Sequence, residues 1–117
     1  MKTYSDLLVW QKAIDLVTVV YKVSQTFPKE EMYGITSQIR RSSVSVPSNI
    51  AEGYGRNSKQ DFIRFLRISM GSLFELQTQL RIAYNLHFIA IEDFNILFEN
   101  TGEVERMLSA FIKSITP

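Results

Sequence analysis

Cysteine is missing from the 117 residues, and histidine occurs once, as His87. Without cysteine there is no disulfide framework, no thiolate-held zinc and no thiol nucleophile. One imidazole does not make a metal centre, which needs two to four converging ligands, and no such spacing occurs. No metal and no other cofactor is therefore expected. His87 reads instead as a capping or packing residue on the core side of a helix end. Serine is plentiful, yet none sits in a nucleophile elbow or beside an evident base, so the chain is not expected to be an enzyme. Apolar runs are short as well. The best, Leu7 to Val23, contains Lys12 and Asp15 and does not approach the roughly 18 clean residues of a membrane span. The start shows no charged-then-apolar signal with a small-residue cleavage site. These absences point to a cytoplasmic protein without membrane contact.

Proline is scarce too, at positions 28, 47 and 117 only, and strand-type alternation is hard to find. What is present is helical periodicity, four times over. The length and the 45% hydrophobic content suit one compact domain over residues 1–117. The first segment runs from about Ser5 to Gln25, with Leu7, Trp10, Ile14, Val17, Tyr21 and Ser24 stepping by three and four. Thr26-Phe27-Pro28 ends it, because proline cannot continue the backbone ladder. Lys29-Glu30-Glu31 then opens a second helix, Glu30 to Tyr54, with acids near its positive pole. Its apolar stripe is Ile35, Ile39, Val46, Ile50 and Tyr54, with Ser43 filling the gap. Pro47 falls inside this stripe, removes one bond and presses on the Ser43 carbonyl, so a kink or loosening is expected there, with serines satisfying freed carbonyls. Gly53-Tyr54-Gly55 is expected to close the helix in a left-handed cap. Ser58-Lys59-Gln60-Asp61 reads as a capping box opening a third helix, Ser58 to His87. The fourth spans Glu92 to Ser114, with Phe94, Leu97, Thr101, Val104, Leu108, Phe111 and Ile115 on one side and Gly102 as a weak point. The fold class is all-α: an up-down-up-down four-helix bundle with a proline-interrupted second helix.

The third helix has more apolar surface than a bundle needs. At roughly 100° per residue, Phe62, Leu66, Ser69, Leu73, Leu76, Leu80, Tyr84 and His87 share one direction. Ile63, Met70 and Phe74 occupy one flank, and Phe65, Ile68, Ile82 and Leu86 the other. The surplus at Ile63, Ile68, Phe74 and Ile82 predicts an interface with another copy of the chain. The alternative, a monomer whose loops fold over the wide face, stays open.

Net charge is only +1, but its distribution is uneven. Residues 1–31 are neutral, residues 32–81 carry a net +4, and residues 82–117 a net −3. The basic middle supplies Arg40, Arg41, Arg56, Lys59, Arg64 and Arg67 as candidate phosphate contacts. Alongside them a polar stripe steps along the second helix through Gln38, Ser42, Ser45, Asn49, Glu52 and Arg56, turned roughly 90–100° from the apolar one. Such a row either satisfies itself between helices or binds a polar ligand. Gly53-Tyr54-Gly55-Arg56 is not a dinucleotide loop: no strand precedes it, and Ser58 stands where a third glycine is needed. The helix start at Ser58, flanked by Arg56 and Lys59, fits a generic anion site.

Several stretches together resemble a known family. They are Leu8-Val9-Trp10-Gln11-Lys12-Ala13, Phe27-Pro28-Lys29-Glu30-Glu31-Met32-Tyr33-Gly34, Gln38-Ile39-Arg40-Arg41-Ser42, Val46-Pro47-Ser48-Asn49-Ile50-Ala51-Glu52-Gly53, Gly55-Arg56, and Gly71-Ser72-Leu73-Phe74-Glu75-Leu76. The chain resembles the 23S rRNA intervening-sequence proteins over nearly its whole length; beyond about residue 88 only the helical pattern matches. The resemblance implies a bacterial, cytoplasmic four-helix bundle assembled as a ring-like homopentamer. Some members are encoded within insertions of large-subunit ribosomal RNA genes. A related accessory protein of diversity-generating retroelements is a basic pentamer that engages a reverse transcriptase and nucleic acid. This chain departs from that branch in being nearly neutral.

The resulting expectation is a non-enzymatic homo-oligomer that associates with RNA or another nucleic acid through its basic surface. The alternative is a protein–protein scaffold that docks an acidic or helical partner without nucleic acid.

Overall fold

The computed structural model describes residues 2–117. Four helices account for most of the chain: α1, Leu8–Ser24; α2, Ile35–Tyr54; α3, Lys59–Asn85; and α4, Ile91–Ile115. No strand occurs among the described residues. A 3-10 turn, Tyr4–Asp6, precedes α1, and the Asp6 carboxylate there accepts from the backbone N–H of Lys2 (2.8 Å) and Thr3 (3.2 Å). Those two bonds hold the Asp6 carboxyl below its ordinary pKa.

Each helix packs on its neighbours in sequence, and α4 returns to α1, so the four form a closed square. The paired residues show the directions. Phe62 meets Phe111 and Tyr84 meets Phe94, so α3 and α4 are antiparallel. Ser42 meets Gln79 and Tyr54 meets Phe62, so α2 and α3 are antiparallel. Arg40 meets Ser24 and Lys12 meets Glu103, which sets α1 against both α2 and α4. The result is an up-down-up-down bundle of 44 × 24 × 21 Å. Its interior is built from Leu16 and Val20 of α1, Ile39, Val46 and Ile50 of α2, and Leu66, Leu73, Leu76 and Leu80 of α3. Leu97, Val104 and Leu108 of α4 complete it. Pro47 lies buried inside α2, which is helical on both sides of it.

Four details differ from the sequence reading. The buried stripe of α1 is Val9, Ala13, Leu16, Val20 and Ser24, not the row through Trp10, Ile14, Val17 and Tyr21. Counting from Leu7 misphased it, because Leu7 is extended (φ −72°, ψ 123°) and lies outside the helix. Next, α2 starts at Ile35 rather than Glu30. Pro28 leads a 3-10 turn, Lys29–Glu31, closed by Glu31 N–H to the Pro28 carbonyl (2.9 Å), and Gly34 departs from helical geometry before α2 begins. Third, Gly53 and Gly55 form no left-handed cap, since no described glycine has positive φ. Gly53 is buried where α2 crosses α3; a Cβ there would stand 2.6 Å from the Cβ of Phe65. Finally, α3 ends at Asn85, and the His87 side chain is exposed rather than facing the core.

Candidate nucleic-acid interface

The seam between α2 and α3 is polar as well as apolar. Ser42 Oγ donates to Gln79 Oε1 (2.8 Å), and the hydroxyls of Ser45 and Ser72 share a bond of 2.8 Å. Ser69 Oγ donates to the Val46 carbonyl, just before Pro47 (2.8 Å). Asn49 Nδ2 donates to the Ser45 carbonyl (2.8 Å) and lies 2.9 Å from the Ser45 hydroxyl. Thus the middle of the predicted stripe, Ser42, Ser45 and Asn49, is turned inward and spent on helix-to-helix and helix-to-backbone bonds. Towards its ends, Gln38, Glu52 and Arg56 are exposed. Short hydroxyl side chains let the two backbones come close, which is the same demand that Gly53 meets further along.

The six candidate cations divide into two groups. Arg40 and Arg41 sit near the start of α2; Arg56, Lys59, Arg64 and Arg67 sit where α2 ends and α3 begins. At the helical rise, Arg41 and Arg56 are about 22 Å apart along α2. Within the second group, Arg56 donates to Glu52 (2.7 Å), and Arg64 lies 3.7 Å from Asp61. Both guanidinium carbons also lie over the Phe65 ring, 4.8 and 4.6 Å from its centroid. Lys59 and Arg67 have no carboxylate within 4 Å among the described residues. Ser58 caps α3 by accepting from Asp61 N–H (3.0 Å), so Lys59 enters on the first turn, and Gln60, Asp61, Arg64 and Arg67 border a shallow open cleft along its outer surface.

Further along that outer surface, large apolar side chains stand exposed on either side of the polar Glu75 and Thr78. Ile68, Phe74 and Ile82 are 41%, 47% and 44% exposed, and no loop folds over them. Ile63 is half-buried beside the cation cleft. Gly71 lies between the two flanks that carry these side chains, with no atom within 4 Å of where its Cβ would stand.

At the opposite end of the bundle, a cleft of about 350 Å³ gathers Tyr21, Met32, Tyr33, Thr36, Arg40 and Arg41. The sequence reading singled out only the two arginines of this group. The others come from three separate segments, and the one signal in the sequence was an aromatic, Tyr33, beside Gly34, a pair expected to lie inside the second helix. No group of three or more potential metal ligands converges among the described residues. None of their helices is long and apolar enough to cross a membrane.

The sequence pattern of the family described as 23S rRNA-intervening sequence protein matches residues 5–110. No curated protein matches the chain. Among solved structures, a protein of unknown function from the S23 ribosomal protein family of Bacteroides thetaiotaomicron VPI-5482 superposes with a TM-score of 0.84 at 23% identity. That match covers 91% of this chain and 96% of the other. At that identity the likeness is one of fold.

Proposed function

Because the chain belongs to the 23S rRNA-intervening sequence protein family, we propose that it is a non-enzymatic, cytoplasmic oligomer that binds RNA or another nucleic acid through its basic surface. The observation that carries this reading is the cluster at the start of α3. There Lys59 and Arg67 have no carboxylate within 4 Å among the described residues, and Arg67 shares an open cleft with the exposed Arg64, whose partner Asp61 also lines it. Cations so placed neutralise phosphates without reading bases, which suits a chain with no recognition motif. Pairing of Arg56 with Glu52 and of Arg64 with Asp61 keeps each single site weak, and repetition of the site around an oligomer raises the effective affinity. A homopentamer is the assembly implied by the resemblance.

Binding to a labelled RNA at several salt concentrations tests the proposal. Log affinity should fall steeply with log salt, and the double change Arg64→Ala with Arg67→Ala should flatten that slope by about two charges. Salt-independent binding, or none at low salt, overturns it. The scaffold reading would need a polar docking stripe, and Ser42, Ser45 and Asn49 are already engaged within the chain.

A further inference from the structure

We propose that the cleft between the end of α1 and the start of α2 binds a nucleotide, with the base against Tyr33 and the phosphate against Arg40 and Arg41. Three observations meet there. First, the hydroxyl of Thr36, a residue only 2% exposed, is the one buried side-chain polar atom among the described residues without a hydrogen-bond partner, and Thr36 lines this cleft. A buried hydroxyl left unpaired is costly, which marks the wall of this cleft as a place where a further hydrogen-bond partner would be a gain.

Second, the cleft is cationic and prepared. Arg40 is fixed twice, by Nε donating to Ser24 Oγ (2.8 Å) and by stacking over the Tyr21 ring at 4.7 Å. That leaves the terminal amino groups of its guanidinium, which have no protein acceptor among the described residues. Arg41 beside it has no carboxylate within 4 Å. Two guanidiniums without a counter-charge suit a phosphate, which arginine binds in bidentate fashion.

Third, Tyr33 is 98% exposed, in the turn between Glu31 and α2, with Met32 exposed next to it. A ring open on both faces, beside a thioether, is a stacking platform for a flat aromatic group. Phosphate and flat base together are the chemistry of a nucleotide. The α3 cations lie at the other end of the bundle and take no part in this cleft. A free nucleotide and one unit of a single strand would present the same groups.

Calorimetric titration of the full chain with adenosine monophosphate, adenosine, inorganic phosphate and a five-nucleotide single-stranded RNA tests it. The monophosphate should bind at least about tenfold more tightly than adenosine or phosphate alone. Tyr33→Ala and Arg41→Gln should each weaken it about tenfold; both residues are exposed, so folding should be unaffected. Thr36→Val should also weaken binding while leaving the melting temperature equal or higher, which a merely structural hydroxyl would not do. Tighter binding of the oligonucleotide, lost in the same variants, identifies a single strand as the source; equal binding identifies the free nucleotide. The variant carrying Arg64→Ala and Arg67→Ala should bind the monophosphate normally, which separates this site from the RNA proposal. Affinity for phosphate equal to that for the monophosphate, indifference to Tyr33→Ala, or no binding at millimolar concentration overturns the assignment.

Discussion

His87 closes α3 with φ 65°, the one described non-glycine residue in the left-handed region. Its N–H donates to the Tyr84 carbonyl and Phe88 N–H to the Ala83 carbonyl, both at 2.9 Å. This is the paired closing pattern in which glycine is the usual residue. An imidazole there carries the steric cost of a Cβ in that conformation, so His87→Gly should stabilise the fold by about 0.5–1 kcal/mol after the added freedom of the unfolded chain is subtracted. Chemical denaturation measures this, and a loss of stability would mean that the exposed ring makes a contact of its own. Two glycines give the opposite pair of cases. Gly53→Ala sets a Cβ 2.6 Å from Phe65 Cβ and 3.3 Å from the Phe62 carbonyl, backbone-proximal atoms that cannot swing away. It should cost about 1–3 kcal/mol by forcing α2 and α3 apart. Gly71→Ala meets nothing within 4 Å and should stabilise the single chain by about 0.5–1 kcal/mol through helix propensity alone. Thermal melts of the two variants should therefore shift in opposite directions.

At the scale of elements, legibility followed how local each constraint is. The stripe of α4 was readable because Phe94, Leu97, Thr101, Val104 and Leu108 repeat within one unbroken helix, and all five are buried. The stripe of α1 was not, because two apolar rows run side by side and only contact with α2 and α4 decides which turns inward. Gln79 escaped notice for the same reason: its partner, Ser42, stands 37 residues earlier. Nor could the sequence show that Tyr33, Thr36 and Arg40 share a cleft with Tyr21, since that depends on how α1 and α2 cross. The expectation is of serines serving the Ser43 carbonyl that Pro47 frees; side chains instead serve the two carbonyls just before the proline, Asn49 that of Ser45 and Ser69 of α3 that of Val46. Asn49→Leu removes the amide that bonds the Ser45 carbonyl and leaves the half-buried Ser45 hydroxyl with only Ser72 as partner. It should lower stability by about 1–2 kcal/mol. An unchanged melting temperature would mean that water replaces the amide there without loss.

The molecule as a whole leaves its longest helix half dressed. One side of α3 supplies Leu66, Leu73, Leu76 and Leu80 to the interior, and the other presents Ile68, Phe74 and Ile82 to solvent around Gly71. An exposed glycine inside a helix weakens it unless another backbone must come close, and here no part of the same chain does. Large apolar side chains flanking such a gap are what a second helix would need for tight approach, so the expected occupant of this face is another copy of the chain. Burying each side chain fully is worth about 1.5–3 kcal/mol, and since each is already half covered the gain is about half that, repeated at every interface. Charge adds direction rather than strength. In a head-to-tail assembly the basic start of α3 would meet the acid-rich α4 of the next copy, although Glu103 and Glu99 are partly occupied by Lys12 and Arg106. A head-to-tail contact of this kind closes into a ring when its rotation permits. Light scattering at micromolar concentration should then give a multiple of 13.5 kDa, five copies being the number the family resemblance implies. Phe74→Glu or Ile82→Glu should reduce the mass to 13.5 kDa with helical content preserved, because both side chains lie outside the single-chain core. Gly71→Ala supplies the sharper test. If the glycine serves only the helix, the variant assembles normally and melts higher; if it admits a neighbouring backbone, the variant gains monomer stability and loses the oligomer. A wild-type mass of 13.5 kDa would overturn the assembly and leave the exposed row of α3 for a partner of another kind.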